Sequence, residues 1–414
     1  MGRYTELHIY DFGPFKEAHV ELAPLTIFIG KNSLGKSMLL YLIWVLESAL
    51  PEPRKHYEVI ESMGGIKIAE ECFDVMRKSG NPDELIRKLL MIFLKAFPAA
   101  WAKSLKDTLS AAFGVKTSEL IRKGMQNSKL IIECERGSME IVIEGDDVTA
   151  RWVHLDEDLI KKAVVKTLGT SLYITIEGKE AISYVLSPLE VLDDLYVAFG
   201  NALYAIFKGI AGVSEAEERL LVDGRAGVER VLLPPYPGIP LGLREILMPD
   251  YVFVSSIPRL AEDYVRGDVD LEAPALRLLL EELGFKPVIR KEFGIPRIFI
   301  ESWAGLTVPL ERAPSGIRET MPAILALLSK NTSMVYIEEP EAHLHPRAIR
   351  LVPRLTAYAI NRLGKQVRIT THSDILVSQV NNLIAHVGRP GGNPRAGLRA
   401  LGTPEARAGA RLLA

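Results

Sequence analysis

The sequence predicts an α/β fold with a mostly parallel sheet, interrupted by a large α+β insertion. Three observations predict it. The apolar run Leu25 to Ile29 leads through a glycine-bounded loop into a helix crowded with Met38, Leu39, Leu40, Leu42, Ile43 and Val45. From Tyr251 onward, short β-branched runs alternate with helix-length segments, which is the signature of parallel strands joined by helical crossovers. Between these parts, residues 54–231 mix helical and strand-like stretches with no such alternation.

Each element has a local reason. Leu7 and Ile9, then Val20 and Leu22, alternate as half-buried strands do, whereas the unbroken run Leu25 to Ile29 reads as a strand buried on both faces. Pro51 and Pro53 stop the helix that opens at Lys36, because proline has no N–H to continue the ladder. Further on, Lys129 to Glu135, Met139 to Glu144 and Leu172 to Glu177 read as strands. The turn Arg136-Gly137-Ser138 makes the first two a hairpin, and Pro188 to Gly209 returns to helix. No heptad seam runs through the block for three or four repeats, so it reads as a compact insertion and not a long coiled coil.

The proline-rich stretch Leu233 to Pro240 marks the return from the insertion. After it come a strand at Tyr251 to Ser255, a helix at Ala273 to Leu283, a strand at Arg297 to Glu301 and a helix at Gly316 to Leu328. A buried strand at Met334 to Ile337, a helix at Arg350 to Leu363 and a strand at Val367 to Thr371 complete the alternation. The expected organisation is therefore a head made of 1–53 and 232–385, an insertion at 54–231, and a basic Gly/Ala/Arg-rich tail at 386–414 that reads as poorly ordered.

Composition narrows the class. A chain of 414 residues exceeds a single core, so two units or one domain with an insertion are expected. A net charge of −2 gives no global pull toward nucleic acid. The 2 cysteines, Cys72 and Cys134, are far apart and form no CxxC pair, which indicates neither a disulfide framework nor a zinc site. The charged N-terminus lacks a signal peptide's apolar core, and the longest apolar stretches carry charges, so a cytoplasmic location with no membrane segment is expected. The 3 glutamines and 9 asparagines are few, a shortage of heat-labile amides that fits a thermophile.

The chemistry concentrates in three strings. Gly30-Lys31-Asn32-Ser33-Leu34-Gly35-Lys36-Ser37 satisfies the spacing in which successive backbone N–H groups curl around phosphate oxygens at a helix N-terminus. Lys36 would bridge β- and γ-phosphates, and the Ser37 hydroxyl would ligate Mg²⁺. Val335-Tyr336-Ile337-Glu338-Glu339-Pro340-Glu341 then supplies acids at the end of a second buried strand. Neighbouring side chains on a strand point to opposite sides, so Glu338 is assigned to the metal and Glu339 to polarising the attacking water. Thr370-Thr371-His372-Ser373 follows a third strand, and His372 is placed to hydrogen-bond a γ-phosphate or the attacking water.

This order, with Ala313-Pro314-Ser315-Gly316-Ile317-Arg318-Glu319 before the acidic strand, resembles the ABC ATPases of the SMC, RecF and OLD branch. The loop form Gly-x-Asn-x-x-Gly-Lys-Ser and the string Ile337 to Pro346 look especially like the OLD-type group. The resemblance covers the N-terminal segment and the stretch from Tyr251 to Ala385, and it implies ATP and Mg²⁺ as cofactors. It also implies that Ser315 and Gly316 contact the γ-phosphate held by a second copy, in an ATP-dependent homodimer. His345 stands where transporter relatives have an aspartate. The glutamine such ATPases use as a Mg²⁺ ligand is missing, since no glutamine lies between Gln126 and Gln366. Ser255 or Ser256 is the expected substitute, and Arg259 either serves the phosphate or pairs with an acid.

The implied function is an ATP-driven dimerising switch acting on DNA or an effector protein such as a nuclease or toxin, in DNA repair or phage defence. A nucleotide-dependent scaffold with little hydrolysis is the alternative. A transporter motor is disfavoured by the insertion, and a P-loop kinase does not explain Ser315-Gly316. The 42 residues after His372 leave no room for the Toprim domain that OLD proteins append.

Overall fold

The computed structural model describes residues 5–31, 33–48, 53–78, 80–168, 171–176, 179–184, 230–233, 263–292 and 295–387. Strands β1 (Thr5–Phe12) and β2 (Phe15–Leu22) open the chain, followed by β3 (Leu25–Ile29) and helix α1 (Lys36–Ser48). The chain divides into two compact units, Met1–Leu22 with Val45–Gly227, and Ala23–Trp44 with Val228–Ala414.

In the first unit come α2 (Pro53–Ser62), α3 (Gly65–Arg77) and the long α4 (Asp83–Phe113), then β4 (Asn127–Cys134), β5 (Gly137–Glu144) and β6 (Asp147–Leu155). The strands form one sheet in the order β2-β1-β4-β5-β6. This corrects the expected boundary at residue 53, because β1 hydrogen-bonds β4 from Glu6↔Glu133 to Tyr10↔Lys129. The reason is burial. A hairpin such as β1–β2 is marginal alone, and its apolar residues Leu7 and Ile9 meet Ile132 and Leu130 on β4, all four buried. The predicted hairpin is β4–β5, with Cys134 paired to Gly137, so the turn residues are Glu135 and Arg136.

Helix α4 contains Pro98, which has no N–H to give to the Leu94 carbonyl one turn earlier. The Trp152 indole of β6 donates to that carbonyl at 2.7 Å, so tertiary structure repairs a bond that the sequence removes. One residue before Leu94, the Phe93 carbonyl meets Nε2 of the fully buried His56 ring at 3.0 Å, and burial pushes the His56 pKa down to about 4. Arg87 caps the carbonyls of Ile160 and Lys161 at the end of the short α5 (Asp158–Lys161). Strands β7 (Val164–Leu168), β8 (Ser171–Ile176) and β9 (Lys179–Tyr184) make a separate antiparallel sheet.

The second unit is built on a parallel sheet. Strands β10 (Arg230–Leu233), β14 (Met334–Glu338), β15 (Gln366–Thr371) and β3 lie in the order β10-β14-β15-β3, all parallel. Ile27, Val335, Ile337, Val367 and Ile369 enter one apolar core with Leu276 and Leu279 of α6 (Pro274–Leu283) and Leu325 and Leu328 of α7 (Ser315–Leu328). Leu355 of α9 (Val352–Leu363) and Leu376 of α10 (Asp374–Val387) close it, and α8 is the single turn Pro346–Ile349. Burial on both faces explains the continuous apolar strands.

One strand is not where the alternation put it. Arg297 to Glu301 lies in β12 (Ile295–Ser302), between β11 (Phe285–Glu292) and β13 (Thr307–Pro309) in an antiparallel sheet. Only 293 and 294 separate β11 from β12, too short for the crossover that parallel strands require. The loop before β14 is tied by Lys365, whose amine donates to the carbonyls of Ser329 and Thr332. Burial drives the Lys365 pKa down to about 7 against the pull of Asp263. The expected helix 188–209, the strand 251–255, Ser255, Ser256, Arg259, Asn32 and the tail beyond 387 lie outside the described residues. Among the described residues, no helix is long and apolar enough to cross a membrane.

Candidate nucleotide site at the edge of the parallel sheet

Register brings the predicted residues to one edge. Glu338 pairs with Thr370 and Thr371 with Ile29, so β14, β15 and β3 end side by side at their carboxyl termini. In open parallel sheets that edge is where ligands bind. The loop after β3 turns with Ser33 at φ 64° and Gly35 at φ 85°, and α1 begins immediately with the Leu39 N–H on the Gly35 carbonyl at 2.8 Å. Lys31, Ser33, Leu34 and Ser37 are exposed, Gly30 and Gly35 half-buried, and Lys36 buried. The first-turn N–H groups of α1 have no helical acceptor, which leaves them and the loop amides available to an anion.

Lys36 Nζ donates to the carbonyls of Gly30 and Lys31 at 3.0 and 2.9 Å, folding back over its own loop. Burial lowers its pKa, while the carboxylates of Glu339 and Glu341 hold it up. The same amine lies 3.4 Å from His372 Nδ1, and His372 Nε2 lies 2.9 Å from Glu339 Oε1. An ammonium can only donate and a carboxylate only accept, so this line assigns His372 the tautomer with its hydrogen on Nε2. His372 therefore bridges the lysine and the acid, a more specific placement than the sequence suggested.

Glu338 is buried, and its Oε2 accepts from the Tyr41 hydroxyl at 2.7 Å. Burial raises its pKa, hydrogen bonds from Ser37 and Tyr41 oppose that, and Glu339 beside it adds to the rise. Ser37 and Tyr41 are one helical turn apart, so α1 presents both hydroxyls to the same carboxylate. A hydroxyl and a carboxylate at a helix N-terminus are hard oxygen donors, which fits Mg²⁺. Those residues, Ser37 and Glu338, are the ones that would hold it.

After β14 the backbone is strained. Glu339 and His343 have φ of 45° and 58°, and with Ser33 they are three of the four non-glycine residues at positive φ among the described residues. Such conformations cost about 1–3 kcal/mol each and gather where geometry is constrained by function. The Glu339 N–H bonds the Thr370 carbonyl at 2.9 Å. Glu341 Oε1 accepts from the Thr371 hydroxyl at 2.5 Å and the His372 N–H at 2.9 Å, tying this loop to the end of β15. Glu341 Oε2 is buried without a hydrogen-bond partner. Sequence reasoning missed Glu341 and Tyr41. The signals available were the second acid after Pro340 and the four-residue spacing from Ser37.

Ser315 and Gly316 open α7. A Cβ on Gly316 would sit 2.7 Å from the His343 carbonyl oxygen, so only glycine lets this helix start against the strained loop. Among the described residues no hydrogen bond joins Ser315 or Gly316 to Lys36, Glu338, Glu339 or His372. His345 caps α8, its Nδ1 accepting from the Arg347 N–H at 3.4 Å.

A parallel sheet ending at a glycine loop, a hydroxyl–carboxylate pair and a histidine is the α/β architecture of a P-loop nucleotide-binding fold. Residues 244–378, about a third of the chain, match the family model described as "AAA domain, putative AbiEii toxin, Type IV TA system". Among solved structures, the chain is similar to an SMC head bound to the C-winged-helix domain of ScpA, at 13% identity and TM-score 0.43, covering 91% of this chain and 92% of that one. It is similar to the SMC head domain from Thermotoga maritima at 11% identity and TM-score 0.35, covering 92% of both chains. A third is an SMC head with an extended coiled coil bound to the C-terminal domain of ScpA, derived from Pyrococcus furiosus. There the identity is 13% and the TM-score 0.40, over 92% of both chains. No curated protein matches.

Proposed function

We propose that the protein binds Mg²⁺–ATP at this edge and hydrolyses it, and that two copies close head to head on the nucleotide. The observation that carries the reading is the line Lys36–His372–Glu339 beside the pair Ser37–Glu338. The loop amides and Lys36 bind the phosphates. Ser37 and Glu338 hold the Mg²⁺, which supplies charge neutralisation for the phosphoryl group. Glu339 orients a water toward the γ-phosphoryl group and takes its proton as the bond to the bridging oxygen breaks, and His372 Nε2–H fixes the Glu339 carboxylate for that role. Ser315 and Gly316, at the N-terminus of α7, reach the γ-phosphate of the second copy, where the helix end favours an anion.

Closing and reopening of the pair would then act as a switch on DNA or on an effector protein such as a nuclease or toxin. The toxin–antitoxin wording of the family model supports the defence side of this reading over DNA repair. Lys36→Ala is expected to abolish ATP binding. Glu339→Gln is expected to retain binding, to accumulate as an ATP-bound dimer in light scattering, and to lose about 10²–10⁴-fold in turnover. A Glu339→Gln protein that stays monomeric with saturating ATP would sink the head-to-head model. Absence of phosphate release by the wild type, with and without duplex DNA, would favour a scaffold that binds nucleotide without turning it over.

A further inference from the structure

The face of the first unit's sheet opposite its apolar core carries side chains that the nucleotide site does not use. Register sets Glu6 of β1 opposite Glu21 of β2 and Glu133 of β4, and two residues along β1 sets His8 opposite His19. Alternation sends Leu7 and Ile9 into the core and leaves Glu6 and His8 on the other face. His8 Nε2 lies 3.7 Å from Glu6 Oε2 and 3.9 Å from Glu133 Oε2, beyond hydrogen-bond reach, and it is buried with no hydrogen-bond partner.

The other ring nitrogen decides which tautomer is present. His8 Nδ1 meets His19 Nδ1, with the rings edge-on at 4.6 Å and 81°. His19 Nε2 lies 2.9 Å from Glu17 Oε1. A carboxylate only accepts, so His19 carries its hydrogen on Nε2 and its Nδ1 must accept from His8 Nδ1–H. A neutral His8 then keeps a bare lone pair on Nε2, facing two carboxylate oxygens. The three atoms lie within 4.8 Å of one another, and three electron-rich groups converge there.

We infer that Glu6, His8 and Glu133 form a site for a divalent transition cation of the zinc type, with His19 and Glu17 orienting the His8 ring. One imidazole and two carboxylates suit Zn²⁺ or Mn²⁺ better than Mg²⁺ or Ca²⁺, which take oxygen ligands alone. Three protein ligands leave a position for water. The relay from His8 Nδ1 through His19 to Glu17 is the hydrogen-bonded support that metal-bound histidines carry, and it fixes the ring and raises its basicity. A bound ion would bridge β1 and β4, strands far apart in sequence, and stabilise their pairing.

The test uses the full chain, stripped with chelator and free of nucleotide, so that the P-loop edge contributes no phosphate ligands. Equilibrium dialysis against Zn²⁺ is expected to show one ion per chain that both His8→Ala and Glu133→Gln release, and that His19→Ala binds about 10- to 100-fold more weakly. Zn²⁺ should raise the thermal midpoint of the wild type and not that of His8→Ala. Should His8→Ala fail to fold, the ¹⁵N shift of His8 Nε2 in the wild type decides, because coordination must move it. Uptake unchanged in the folded variants, no uptake by the wild type, or an unmoved Nε2 shift would each overturn the site. The second and third of these would leave a proton on His8 Nε2 as what the carboxylates hold.

Discussion

Removing one hydroxyl, Tyr41→Phe, tests how the fold keeps a carboxylate at a buried strand end. Glu338 is 4% exposed, and burial pushes its pKa above the ordinary glutamate range while Ser37 and Tyr41 hydrogen bonds pull it back. A hydrogen bond to an ionised group contributes about 1.5–3 kcal/mol, against about 0.5–1.5 kcal/mol for a neutral pair. The ionised form therefore loses more than the protonated form when the 2.7 Å bond from Tyr41 is removed, which moves the Glu338 pKa further upward. A glutamate whose folded pKa exceeds its unfolded value of 4.5 binds its proton first in the folded state. Stability from this group is therefore complete below pH 4.5 and falls as the pH rises through the folded pKa. The variant should lose about 1.5–3 kcal/mol relative to the wild type near neutral pH, and only about 0.5–1.5 kcal/mol in acid, where the carboxyl is protonated in both states. Urea unfolding of both proteins at the two pH values measures the difference. Equal losses at both would refute the claim that the bond serves a charged Glu338.

Two further outcomes follow from buried polar groups. Trp152→Phe leaves the Leu94 carbonyl unsatisfied beside Pro98 and should cost about 1–3 kcal/mol. Pro98→Ala restores the helical donor, so the same change in that background should cost measurably less, and a double-mutant cycle with no coupling would count against the account. For Lys365, whose pKa falls from 10.5 to about 7, the unfolded chain holds the proton and the folded chain does not between those values. Stability should therefore rise with pH across that window by up to about 1.4 kcal/mol per pH unit. Lys365→Met should flatten the rise, and an unchanged slope in chemical unfolding would show that another group is responsible.

The parts of the protein that local chemistry dictates are legible in the amino-acid order. The run Leu25 to Ile29, the loop Gly30 to Ser37 and the strands ending in Glu338 and Thr371 each carry their own periodicity and breakers, and structure places them as strand, loop and strand. Glu338, Glu339 and His372 could be singled out because strand ends are local features, and the structure brings them beside the loop Gly30 to Ser37. Periodicity reports which face of an element is apolar and is silent about which distant face it meets. Thus the pairing of Leu7 with Ile132, which removes the expected boundary at residue 53, was decided by tertiary structure. So was the antiparallel sheet of β11, β12 and β13, where the connection length overrode the alternation. The same holds for side-chain partners. Tyr41 reaches Glu338, Glu341 reaches Thr371 and Trp152 reaches Leu94, each across a sequence separation that no window spans. By itself the sequence marked the glycine-bounded loop, the apolar strands that flank it and the acids at their ends. Only packing and register decided which carboxylate each hydroxyl serves, because a hydrogen bond depends on position to within a few tenths of an ångström and that position is set by the whole core.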